Sequence, residues 1–187
     1  MEETLKQIDS NCLKVVLFGP ESTGKTVLAK QLAEHYKTLW VPEFSRLYAV
    51  EKAKNNKRLT KEDVLPIAIG QMALENNLAK QVGNLLICDT NLLETKVYSE
   101  TYYEGYAPKI LNKFALENVY NVYFLTNIDM PWEADGIRDK PNEREHMFKA
   151  FQKELIKNKL PYVILSGNLE ERLKTAIKHI DKLLKYN

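Results

Sequence analysis

One octapeptide, Gly19-Pro20-Glu21-Ser22-Thr23-Gly24-Lys25-Thr26, constrains this chain more than any other segment, because it fits the pattern G-x-x-x-x-G-K-[ST]. Holding a phosphate takes several convergent backbone N–H donors, and a tight loop with little side-chain bulk supplies them. Gly19 and Gly24 let the backbone curl toward an anion. A helix starting at the end of the loop adds the positive end of its dipole. In such a loop Lys25 would reach the β- and γ-phosphates and the Thr26 hydroxyl would ligate Mg²⁺. The setting agrees: the apolar run Val15-Val16-Leu17-Phe18 precedes the loop, and the helical pattern Val27, Leu28, Gln31, Leu32 follows it.

The rest of the chain supports an α/β architecture. Strand-length apolar runs recur at Leu13 to Phe18, Leu85 to Cys88, Val119 to Leu125 and Tyr162 to Leu165, with Thr38 to Val41 as a weaker one. Continuous, β-branched-rich runs suit strands buried on both faces, as in a parallel sheet. Helical patterns fill the gaps. Leu169, Leu173, Ala176, Ile177, Ile180, Leu183 and Leu184 form one stripe, capped by Asn168 with Glu171 three residues on. Met147, Phe148, Phe151, Leu155 and Ile156 mark another helix. Thr60 with Asp63 reads as a third helix start, or Pro66 as the first residue of the main helix after a short turn. Alternating strands and helices imply parallel crossovers. The segment of about 126–145 breaks the rhythm with Pro131, Trp132, Gly136 and Pro141 among charges, and reads as a lid over the site.

Composition bounds the answer. With 187 residues, 44% of them hydrophobic, the expectation is one domain over 1–187. Lys and Arg total 27 against 25 Asp and Glu, a net charge of +2 that suggests no nucleic-acid partner. Cys12 and Cys88 lie beside apolar runs and read as buried free thiols. His35, His146 and His179 are scattered through helical stretches and suggest no metal site. The start Met1-Glu2-Glu3 lacks a signal peptide's basic and apolar regions, and no apolar run approaches a membrane span, so a soluble cytoplasmic protein is expected.

The residues also point to a reaction class. Strand Leu85 to Cys88 ends in Asp89-Thr90, the place where a phosphate-loop fold puts a carboxylate beside Mg²⁺ or the reacting hydroxyl; the competing structural role is a helix N-cap. Thr90 stands where a hydrolytic motor would carry a water-activating Glu. The segments Asn56-Lys57-Arg58-Leu59 and Asn112-Lys113-Phe114-Ala115 lack the Asp of a guanine-reading motif. A small-molecule kinase needs neither. It needs the loop, an acceptor pocket with a carboxylate, and a basic lid. Glu43 and Arg46 follow the second strand run and suit the acceptor side, although i, i+3 neighbours on a helix also pair on a surface. Arg138 and Arg144 suit the lid.

Together, Gly19 to Thr26, Pro42-Glu43-Phe44-Ser45-Arg46, Cys88-Asp89-Thr90, Tyr103-Glu104-Gly105 and the segment from Pro131 through Trp132, Asp135 and Gly136 to Arg138 resemble the ribosylnicotinamide kinase domain of NadR-type NAD-biosynthesis proteins. The resemblance implies a P-loop fold of the nucleoside and nucleotide kinase type, with a five-stranded parallel sheet in the order 2-3-1-4-5, helices on both faces and a lid. It implies ATP- and Mg²⁺-dependent phosphorylation of the 5′-hydroxyl of nicotinamide riboside to nicotinamide mononucleotide. By the same resemblance Lys25, Asp89 and Arg138 are catalytic, and Thr26 and Asp89 hold the metal. Gly19, Pro20, Glu21, Ser22, Thr23, Gly24, Lys25, Thr26, Arg138, Ser166, Gly167 and Asn168 contact ATP. Glu43, Arg46, Asp89 and Tyr103 contact the nucleoside. The chain departs from the pattern at Asn91, where relatives often carry an acid, and at Pro42, where some carry Trp; Trp40 lies two residues earlier. The adenylyltransferase and helix-turn-helix regions of longer relatives are not expected here.

Overall fold

A computed structural model describes residues 2–132 and 143–186. A five-stranded parallel sheet runs through it in the order β2-β3-β1-β4-β5. Its strands are β1 (Leu13–Phe18), β2 (Trp40–Val41), β3 (Leu85–Asp89), β4 (Val122–Thr126) and β5 (Tyr162–Leu165). The helices are α1 (Glu2–Leu5), α2 (Lys25–His35), α3 (Phe44–Lys54), α4 (Val64–Ala79), α5 (Leu92–Tyr102), α6 (Lys109–Glu117), α7 (Arg144–Lys157) and α8 (Leu169–Lys185). A 3₁₀ turn (Lys61–Asp63) leads into α4.

Successive strand side chains point to opposite faces, so each central strand feeds two cores. Val16, Phe18, Leu86, Cys88, Tyr123 and Leu125 pack with α1, α4, α5, α6 and α7. Val15, Leu17, Leu85, Ile87, Val122 and Phe124 face the other way and pack with α2 and α8. This two-sided burial is why the central runs are mostly apolar rather than alternating; the buried Lys14 of β1 is paired with Glu75 at 3.5 Å.

Asn168 and Glu171 form the expected capping box on α8, whose Ala176 and Ile180 are fully buried. Thr60 and Asp63 close a second box, but on the 3₁₀ turn; α4 begins at Val64, so Pro66 sits inside its first turn, where no intrahelical donor is lost. Other expectations shift. β4 starts at Val122, and Val119 is 71% exposed. Ile156 turns to solvent, outside the α7 stripe. Cys88 is buried, and burial raises its thiol pKa well above the usual value; Cys12 is only half-buried. Among the described residues no helix is long and apolar enough to cross a membrane.

Candidate functional site

The first turn after β1 shows why Gly19 is glycine. Its φ is +133°, and a Cβ there would lie 2.8 Å from Thr126 Oγ1 at the end of β4. Thr126 in turn hydrogen-bonds with the Thr23 hydroxyl at 2.7 Å, and Thr23 Oγ1 donates to Pro20 O at 2.8 Å. The loop is therefore tied to the neighbouring strand before α2 begins at Lys25, behind Gly24 in the left-handed region. That places the free N–H groups of the α2 terminus at the loop's mouth.

Lys25 is buried, at 7% exposure. Its ammonium donates to Gly19 O (2.6 Å) and Pro20 O (2.8 Å) and pairs with Glu94 Oε1 at 3.2 Å. Burial works against its charge, but Glu94, Glu43 and Asp89 together raise its pKa above the ordinary value. Thr26 Oγ1 donates to Asp89 Oδ2 at 2.6 Å. Leu17 pairs with Asp89 across β1 and β3, which sets this carboxylate beside the phosphate loop. Asp89 Oδ1 is buried without a hydrogen-bond partner. Burial, then the nearby Glu43, push the Asp89 pKa up to about 6, against Lys25 and the Thr26 hydrogen bond. The helix-cap role belongs instead to Asn91, whose Oδ1 accepts from Glu94 N at 3.1 Å.

A cavity of about 890 Å³ opens over this loop, at the upper end of the usual range for ligand sites. Glu21 to Thr26 form one wall; Glu43, Arg46 and Tyr103 stand among the other lining residues. Glu43 is the N-cap residue of α3 and accepts from Ser45 Oγ at 2.6 Å. Its neighbour Phe44 presses its ring onto Gly70 of α4, whose missing side chain makes the room. Asp89 lies beneath the wall, reaching it through Thr26. Ser166, Gly167 and Asn168 do not line the cavity; Gly167 N donates to Asp129 Oδ2 at 2.6 Å and Asn168 caps α8. Arg138 and most of the expected lid, 133–142, lie outside the described residues. Arg144, at the start of α7, reaches the loop by donating to Ser22 O (3.2 Å) and Met130 O (2.9 Å). Among the described residues no group of His, Cys, Asp and Glu is arranged to hold a metal by itself.

Two residues escaped the sequence reading. Glu94 is 2% exposed: one carboxylate oxygen meets Lys25 and the other accepts Gly19 N–H at 3.2 Å. Its burial drives its pKa up to about 8, with Lys25 opposing and Glu43 and Asp89 adding. Asn91-x-x-Glu94 reads as an ordinary capping box, which hides this role. Arg172 is 1% exposed and donates to Thr23 O, Gly167 O and Asn127 O, and pairs with Asp129. It ties the phosphate loop, the segment after β4 and the start of α8 together; a buried arginine beside an apolar stripe gives no sequence sign of this.

Comparison with known proteins follows the same lines. The trifunctional NAD biosynthesis/regulator protein NadR of Salmonella typhimurium is 27% identical over 143 residues, 76% of this chain and 34% of the relative. A NadR protein solved in complex with NR superposes with a TM-score of 0.75 at 21% identity, covering 92% of this chain and 50% of that one. Thymidylate kinase of Candida albicans superposes with a TM-score of 0.65 at 14% identity, covering 96% of both chains. The chain thus spans about a third of the length of its curated relative, and at these identities the structural matches speak for a fold of the nucleoside and nucleotide kinase kind. Residues 14–172 match the AAA domain family, and the chain belongs to it.

Proposed function

We propose that this chain is an ATP-dependent kinase that phosphorylates the 5′-hydroxyl of nicotinamide riboside, releasing nicotinamide mononucleotide and ADP. The observation that carries the reading is the convergence of Lys25, Thr26, Glu43 and Tyr103 on one cavity, with Asp89 directly behind Thr26. A phosphate loop sharing one cavity with a carboxylate and an aromatic ring supports in-line transfer to a small acceptor. The choice of riboside rests on the residues shared with NadR-type kinase domains and on the similarity to NadR.

Each residue then has a task. The loop N–H groups and Lys25 bind the β- and γ-phosphates. The unpartnered Asp89 Oδ1 beside the Thr26 hydroxyl fits a divalent cation, so Thr26 and Asp89 would hold Mg²⁺. When bound, that ion neutralises charge on the phosphates. Glu43, on the cavity wall, is placed to take the proton of the acceptor hydroxyl, while Asp89 orients Thr26. Arg46 and Tyr103 contact the nucleoside; the pyridinium ring is a fixed cation, which an aromatic face and nearby carboxylates suit. Arg138 completes the site from the lid, and Ser166, Gly167 and Asn168, next to the cavity-lining Leu169, contact adenine.

ADP release measured across an acceptor panel tests the reading. Nicotinamide riboside should turn over far faster than adenosine, cytidine or thiamine. No preference among them would place the chain in another small-molecule kinase class.

A further inference from the structure

An ammonium has three N–H donors. In this protein all three of Lys25's are engaged: by Gly19 O at 2.6 Å, by Pro20 O at 2.8 Å and by Glu94 Oε1 at 3.2 Å. The two carbonyls belong to the loop that carries the lysine. The third partner comes from α5, and it is a carboxyl group, anionic once pH passes about 8. Its second oxygen takes the Gly19 N–H at 3.2 Å, so the carboxylate straddles the start of the loop. Both side chains are buried, and both line the cavity assigned to ATP.

A triphosphate that contacts Lys25 must therefore find a donor already in use. We infer that Glu94 occupies the phosphate's place on Lys25 in the nucleotide-free protein, and that ATP binds by displacing it. Glu94 is then a residue that sets nucleotide affinity, alongside those that contact the nucleotide. The inference rests on the reading of Gly19 to Thr26 as an ATP site, and adds a competitor built into the chain.

The consequence is quantitative. A site open in only a fraction of molecules binds with an affinity reduced by that fraction. A bridge closed in nine molecules of ten weakens apparent binding about tenfold. The ionised carboxylate is the stronger holder, since it adds the attraction of opposite charges to the hydrogen bond from the ammonium. From the elements packed around Glu94, the charged groups that face it are Lys25 of α2, Glu43 ahead of α3 and Asp89 of β3. Tyr98 lies one turn along its own helix. The two acids disfavour its charge together with burial, which brings its pKa to about 8, while Lys25 remains charged well beyond that. The competitor therefore strengthens as pH rises through about 8.

The test is calorimetric titration of ATP with Mg²⁺, without acceptor, into the wild-type chain and the E94Q variant at about pH 7 and about pH 9. Glutamine keeps the shape and an oxygen for the Gly19 N–H, and gives up the charge. E94Q should bind ATP at least about fivefold more tightly than wild type at the higher pH, with the difference shrinking below about twofold at the lower. Equal or weaker binding by E94Q at the higher pH overturns the inference and leaves Glu94 a structural prop. If E94Q does not fold, wild type alone decides. Its ATP affinity should fall at least about fivefold between the two pH values, and constant or rising affinity overturns the inference. A wild-type chain that binds no ATP at either pH overturns it together with the kinase reading, so the two failures are told apart.

Discussion

Lys25 sits where its charge does most, fixed by two loop carbonyls and facing the cavity. Lys25→Ala should abolish phosphoryl transfer while leaving the far-ultraviolet circular dichroism unchanged; near-normal turnover would rule out the phosphate-loop assignment. Asp89→Asn should lower turnover more than about tenfold, the scale of loss expected for a group acting on the transition state. A change in thermal stability alone would reduce Asp89 to a structural residue. The Asp89 carboxyl is pushed up to about 6 from an ordinary 3.8, and its ionised form is the one that can hold a cation. Turnover should therefore fall as pH drops through about 6, and a flat profile down to pH 5 would contradict this role. Glu94 gives the opposite sign for stability. Its folded pKa of about 8 exceeds the ordinary 4.5, so the folded state binds the extra proton, and nucleotide-free stability is lost as pH rises between those values. Melting temperatures of wild type should decline over that window relative to E94Q, and parallel curves would contradict the burial of a neutral acid.

At the scale of elements, the site depends on how neighbouring helices are seated. Phe44 opens α3 directly after Glu43, and its ring lies against the bare backbone of Gly70 in α4. Phe44 N also donates to Gln71 Oε1 at 2.8 Å, so α4 sets the position of Glu43 twice over. Gly70→Ala should displace the ring and raise KM for the acceptor several-fold, with KM for ATP little changed, because α2 and the loop are seated elsewhere. Equal effects on both constants would deny that α4 positions the acceptor side. The cap of α8 is separable from chemistry in the same way. Asn168→Ala removes one half of a capping box and should cost about 1 kcal/mol by denaturant unfolding. A loss of ATP affinity well beyond that of stability would support the assignment of this loop to adenine.

At the scale of the whole molecule, the sheet was legible because its central strands are buried on both faces and read as mostly apolar runs, Lys14 apart. Their order was not legible from periodicity, since nothing in a run of apolar residues names its neighbour; it came from the resemblance, and the sheet has that order. The ends of runs misled where exposure, not residue type, decides: Val119 and Ile156 are apolar and solvent-facing. The phosphate loop was legible in full because its spacing is local. Glu94 and Arg172 were not, because each acts across the fold on a loop far from it in sequence. Phe124 shows what the two-sided core carries. It is fully buried on the α2 and α8 face, so Phe124→Ala should cost about 3–5 kcal/mol.

The most direct measurement is incubation of the chain with ATP, Mg²⁺ and nicotinamide riboside, with products identified by mass spectrometry. A riboside that gains one phosphoryl group, in step with ADP and only when Lys25 is intact, is the expected result. ADP appearing at the same rate with and without the riboside, or an unmodified riboside beside active turnover of another acceptor, would contradict it.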